Sequence, residues 1–248
     1  MKTTLTLLLS ACVALAANAQ QDSTTQKWEI SLSGGVSQPI SSYSATSGNA
    51  AGFAKTGFAS NLRVNYLFAK QWLVWANYNV SANKLNTDQN STQSVNALQT
   101  QLSAYSATAN VQYAHINASR WIVQNVTAGV GYTHEIKNKL SATYYLGTGI
   151  AIVRNPNVIN TMYVNNLVFE TRAKATNNAA WVMNGGAKVN YKVQERTSLF
   201  AGVEFFNVSG RGAFEYTTVG ADQYRVETVS YKQAIQMVNF NLGIATHF

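Results

Sequence analysis

From Trp72 to Ser81 the chain reads WLVWANYNVS, with Trp72, Val74, Ala76, Tyr78 and Val80 on one side and Leu73, Trp75, Asn77, Asn79 and Ser81 on the other. Side chains of a strand alternate between faces with period two, whereas a helix needs a period near 3.6. The same two-step rhythm recurs along most of the chain. Trp28, Ile30 and Leu32 alternate with Glu29, Ser31 and Ser33, and Leu62, Val64, Tyr66 and Phe68 alternate with Asn61, Arg63 and Asn65. It continues through Val126–Tyr132, Tyr144–Ile152, Trp181–Tyr191 and Leu199–Phe205, and ends on VNFNLGIATHF, residues 238–248. No segment shows a convincing helical period. An all-β chain follows, with strands expected at 28–36, 58–68, 72–82, 121–135, 140–153, 179–192, 198–209 and 235–248.

The connections sort by length. AKQ (69–71), EIKNK (135–139) and VQERT (193–197) are tight turns, whereas 37–57, 84–120, 154–178 and 210–232 are long and polar. Short turns at one end and long loops at the other describe an up-and-down membrane barrel. Two loop segments, 104–114 and 162–172, also alternate. They either add two strands, making ten, or stand above an eight-stranded barrel as extended hairpins; eight keeps the short turns on one side.

The polar face separates a membrane barrel from a soluble sandwich. Only 11% of residues are charged, against roughly 25% in an ordinary globular domain. The non-apolar rows are mainly Asn, Ser, Thr, Gly and Ala, which suit a narrow lumen. Trp28, Phe68, Trp72, Tyr191 and Phe248 fall near strand ends, where a barrel places its aromatic girdles. Val238 to Phe248, tilted by about 40–45°, covers roughly 25 Å, the height of a barrel's apolar band. In lipid every backbone donor and acceptor needs a partner, so such a sheet must close on itself.

The N-terminus reads as an address. Lys2, an apolar stretch from Leu5 to Ala17 and the A-x-A site Ala17-Asn18-Ala19 make residues 1–19 a cleaved signal peptide, leaving 20–248 as a single barrel domain. Leu9-Ser10-Ala11-Cys12 also fits a lipoprotein box, in which Cys12 would be lipidated, but the apolar run continues past it. Asp22-Ser23-Thr24 matches a short O-glycosylation sequon, and a polar linker explains it as well.

The segments FASNLRVNYLFAKQWLVWANYN, GVGYTHEIKNKLSATYYLGTGIAIV, WVMNGGAKVNYKVQERTSLFAGVEFF and MVNFNLGIATHF resemble small Gram-negative outer-membrane β-barrels of the OmpA/OmpX-like superfamily. They are most similar to the outer membrane protein beta-barrel domain families of Bacteroidetes. The resemblance implies an antiparallel barrel in the outer membrane, with that membrane's lipid and, transiently, its assembly machinery as partners. It also implies that the closing row Phe240, Leu242, Ile244 and Phe248 is a C-terminal assembly signal.

An eight-stranded lumen is just wide enough for side chains to fill. Glu29, Arg63, Lys188, Glu204 and His247 fall on the inward row, and buried charges there are expected to pair, with His247 in reach of Glu29. His115, His134 and His247 form no metal-binding cluster, and no catalytic motif occurs, so no cofactor, metal or catalytic residue is expected. The net charge of +8 is dispersed, which argues against nucleic acid. The expected role is a non-enzymatic surface barrel for adhesion, structure or contact with an extracellular ligand through its loops. The alternatives are a porin-like small-solute channel and a barrel enzyme acting on lipid A or peptides, for which His134-Glu135 is the one suggestive pair.

Overall fold

A computed structural model describes residues 26–48, 51–104, 110–165, 167–219 and 224–248; the side chains of 210–219 and 224–233 lie outside that description. The segment 1–19 read as a signal peptide, Cys12 and the Asp-Ser-Thr triplet also fall outside it.

Eight long strands make the barrel: β1 (Trp28–Ile40), β2 (Ala54–Leu67), β3 (Trp72–Leu85), β5 (Arg120–Lys137), β6 (Leu140–Arg154), β9 (Asn177–Gln194), β10 (Thr197–Val219) and β11 (Tyr224–His247). Each pairs antiparallel with its neighbour, and β11 closes the ring by pairing with both β10 and β1. The seam is sealed at its end: the Phe248 N–H donates to the Trp28 carbonyl at 2.8 Å and the Trp28 N–H to the Phe248 carbonyl at 3.1 Å. With no free edge among these strands, the ladder satisfies its own backbone groups.

The barrel therefore has eight strands. The described parts of the two extra alternating segments lie outboard. β4 (Val111–Ala118), β7 (Val158–Val164) and β8 (Leu167–Lys174) form a small sheet joined to the upper half of β10 through Glu215↔Lys174 to Val219↔Glu170. The stretches read as loops are more regular than expected. β1 runs on to Ile40, β2 begins at Ala54, and β10 and β11 extend as a tall hairpin.

Two helices sit at the long-loop end: α1 (Ser41–Ser44) and α2 (Thr87–Ser103). The second corrects the expectation of no helix. It buries none of its residues fully, and its apolar stripe is only Val95, Leu98 and Leu102 in an otherwise polar stretch, too thin for the period to stand out. Its N-cap could have revealed it: the Asn86 side chain accepts from the Gln89 N–H, and Asp88 sits in the first turn.

Outside, the barrel wears an apolar belt. Leu32, Phe58, Val74, Val126, Leu146, Ile150, Trp181, Met183, Leu199, Val203, Phe240, Leu242 and Ile244 are all exposed. Trp28, Phe68, Trp72 and Tyr191 are half-exposed at its short-turn edge, where Trp28 packs on Tyr66 at 4.7 Å and Trp72 on Tyr132 at 5.3 Å. At the other edge outward positions turn polar: Gln38 with Thr56 at 2.7 Å, Lys84, Gln124, Arg154, and Gln236 with Asn207 at 3.4 Å. Along β1 this belt runs from Trp28 to Val36, a height of about 21 Å at the usual rise and tilt.

Candidate functional site

Among the described residues the lumen gathers buried charge. It is layered from one end to the other. At the short-turn end a vestibule of about 220 Å³ opens between Lys137, Lys139, Lys192, Glu135, Glu195 and His247. At its floor Lys188 of β9 is ion-paired with Glu29 of β1, and Asn65 donates to the same carboxylate at 2.7 Å. Glu29 and His247 are direct cross-strand partners. His247 Nδ1 lies 4.0 Å from the Glu29 carboxylate, and its Nε2 lies 3.0 Å from the Ser198 hydroxyl.

The second pair joins Arg63 of β2 to Glu204 of β10 across the lumen. Glu204, fully buried, also accepts from Asn61 at 2.8 Å and from Asn184 at 3.0 Å. The Arg63 guanidinium lies over the Tyr145 ring at 3.8 Å and near the Trp75 ring at 4.8 Å. All four charged groups are thus paired, and each carboxylate takes additional donors, the condition under which buried ions are tolerable. A residual cavity of about 10 Å³ lies between Arg63, Lys188, Tyr145, Ser33 and Asn241, room for about one water.

Above the ion pairs comes a band of amides and hydroxyls. Asn125 donates to Asn79 at 3.3 Å, Ser81 to Asn79 at 3.1 Å and Asn239 to Ser81 at 3.3 Å. Asn77 and Thr127, cross-strand neighbours, bury side-chain atoms that have no partner there, a place suited to water.

The upper third is a correction to the polar lumen expected from sequence. Seven strands point apolar side chains inward: Ala54, Leu85, Trp121, Val123, Ala151, Val153, Ala180, Val182, Phe206, Val208, Ile235 and Met237. β1 contributes instead by leading into α1, whose Tyr43 drops into the mouth as a stopper. Tyr43 is fully buried, sits edge-on to Trp121 at 5.6 Å and donates its hydroxyl to Asn83 at 3.4 Å. Burial pushes its phenol up from the ordinary tyrosine value. The plug is pinned by the Trp121 indole N–H on the Gly52 carbonyl at 3.0 Å and by the Gly52 N–H on the Ser42 carbonyl at 2.8 Å. Trp121 and Val123 share the parity of Asn125 and Thr127 on β5, so alternation held while residue chemistry changed along the strand.

The remaining histidines do not build a site. His134 has the outward parity of Tyr132, whereas Glu135 lines the vestibule; adjacent strand positions face opposite ways, so the pair is split. His115 lies on β4 opposite Thr161. Among the described residues no group of three His, Cys, Asp or Glu could hold a metal, and no helix is long and apolar enough to cross a membrane. Sequence reasoning missed Tyr43, Tyr145, Trp75 and the amide donors Asn61, Asn65 and Asn184. The amides were findable, since each shares an inward row with a charged residue.

No family model matches the chain, and no curated protein does. Solved structures do overlap it. Neisserial surface protein A is 11% identical at a TM-score of 0.48, covering 89% of this chain and 97% of its own. The outer membrane protein OprG from Pseudomonas aeruginosa is 13% identical at 0.46, covering 90% and 97%. Ail, the attachment invasion locus protein of Yersinia pestis, is 12% identical at 0.39, covering 90% and 100%. Overlaps this loose carry no residue and no activity across.

Proposed function

We propose that the protein is a non-conducting barrel of a Gram-negative outer membrane, non-enzymatic, that holds an outboard sheet and loops for contact at the cell surface. One observation carries the reading: a closed ring whose outer wall is an apolar belt about 21 Å high and whose lumen, above an open vestibule, is occupied by ion pairs, amides and an apolar plug. The belt matches the apolar band of roughly 25 Å on outer-membrane barrels. A lumen occupied in this way supports the closed reading over solute passage. Export by the signal segment 1–19, recognition of the Phe240–Phe248 row by the assembly machinery and placement of the long loops outside all belong to this proposal. The surface role fits where the chain spends its length: one outboard face presents Tyr113 stacked on Tyr163 at 4.2 Å beside exposed Val168.

Planar-bilayer recording tests it. The refolded protein should insert and pass little steady current. A stable, large conductance would overturn the closed reading and favour the porin-like alternative; cleavage of lipid A or peptides by the purified barrel, abolished by His134→Ala, would favour the enzyme.

A further inference from the structure

The belt's upper rim is not uniform. Among the residues whose side chains are described, the rim of β10, β11, β1 and β2 carries uncharged pairs, Asn207 beside Gln236 and Gln38 beside Thr56, with Lys55 of β2 the exception. On the three adjacent strands β3, β5 and β6 it is cationic. Lys84, Arg120 and Arg154 are all exposed and share the outward parity of the belt residues on their own strands. Lys84 and Arg120 are direct cross-strand partners, and Arg154 pairs with Ile122, one outward step below Arg120. Like charges placed opposite one another destabilise a sheet unless an anion lies between them.

Among the described residues no carboxylate comes within 4.0 Å of these three cations; the nearby acid that does form a bridge, Asp88, is taken by Lys55 at 3.8 Å. Beneath them, interrupted only by Gln124 among the described residues of β5 and β6, the wall continues as Ile122, Ile152, Val126 and Ile150, the last three well exposed. A cationic cluster seated on an apolar wall fits a molecule with a phosphate head and hydrocarbon tails. Two guanidinium forks and an ammonium suit phosphate oxygens, the Arg groups in bidentate fashion.

We propose that Lys84, Arg120 and Arg154 form a binding site for the phosphate-bearing headgroup of an outer-leaflet lipid, whose acyl chains lie on the Ile122–Ile152 wall. The site rests on the membrane-barrel reading above. It anchors one sector of the rim and turns a like-charge clash into an ionic contact with the leaflet.

The test uses the full barrel refolded into zwitterionic phosphocholine vesicles, with insertion checked by heat-modifiable migration. Bis-phosphorylated lipid A, dephosphorylated lipid A and inorganic phosphate are titrated separately, and the midpoint of unfolding and intrinsic tryptophan fluorescence are followed. Bis-phosphorylated lipid A should raise the midpoint, and the other two should not. Each cation should contribute about fivefold in apparent affinity. Arg120→Gln alone should then weaken binding about fivefold, and the Lys84→Gln/Arg120→Gln/Arg154→Gln variant on the order of a hundredfold. These side chains are exposed, so the variants should still fold and migrate as heat-modifiable barrels. Equal stabilisation by dephosphorylated lipid A, saturation by inorganic phosphate alone, or undiminished binding by the triple variant would overturn the site. Failure of the wild type to insert would instead overturn the membrane reading.

Discussion

At the scale of single residues the lumen is a matter of matched ions. Glu204 serves Arg63, Asn61 and Asn184 at once, so removing it strands a buried guanidinium. Glu204→Ala should cost about 3–5 kcal/mol, the usual penalty for breaking a buried pair. Replacing both Arg63 and Glu204 by Met should cost less than either single change, because no charge is then left unpaired. Urea titration in vesicles, followed by tryptophan fluorescence, measures the cycle; a double variant as damaged as the sum of the singles would contradict this account. The position of each charge was legible from parity alone: Glu29, Arg63, Lys188, Glu204 and His247 all lie on inward rows. Which charge meets which was not, because β2 and β10 come together only through ring closure, 141 residues apart along the chain.

At the scale of elements, strands were readable and the mouth was not. The eight barrel strands each bury one row and expose the other, so two-step patterning marks them. The stopper depends instead on one loop returning to the lumen. Ser41 and Phe53 bracket it, both at positive φ, 53° and 51°, where non-glycine residues seldom sit. A tyrosine in a polar stretch carries no mark of that. Gly52 is the tight spot: a Cβ there would lie 2.5 Å from the Tyr43 carbonyl oxygen and 2.9 Å from its Cα. Gly52→Ala should therefore push the loop outward, destabilising the fold by about 1–3 kcal/mol as overpacking does, and should make the 41–53 segment cleavable by added protease. A loop equally resistant in variant and wild type would contradict the role given to Gly52. Helix α2 escaped the reading because its apolar side is thin: Val95, Leu98 and Leu102 are only partly buried, and polar contacts such as Gln99 accepting from the Val111 N–H at 2.8 Å help hold it.

At the scale of the whole molecule, closure joins the first and last barrel strands. Phe248 contributes its backbone to the seam with Trp28 and lies at the foot of the outward row through Ile244 and Leu242. Deleting Phe248 should lower the yield of assembled barrel several-fold, scored by heat-shifted migration after pulse labelling. It should change the stability of barrels already formed by only about 1 kcal/mol, the scale of a terminal hydrogen bond. A deletion that assembles normally would remove the residue from any signalling role. The layered lumen has a further consequence, for transit rather than for the finished barrel. Where the upper interior is apolar the wall is greasy on both sides, so alternation lapses into nearly unbroken runs: WIV at 121–123, IAIV at 150–153, AAWVM at 179–183 and FF at 205–206. Before insertion these short runs are the stickiest parts of the chain, prone to pair with one another as aggregating strands. The lower half, with its Asn and Ser, stays comparatively well hydrated. If the chain is exported as proposed above, the stopper that seals the finished mouth comes with a cargo-handling demand on export, concentrated in the segments that later surround Tyr43.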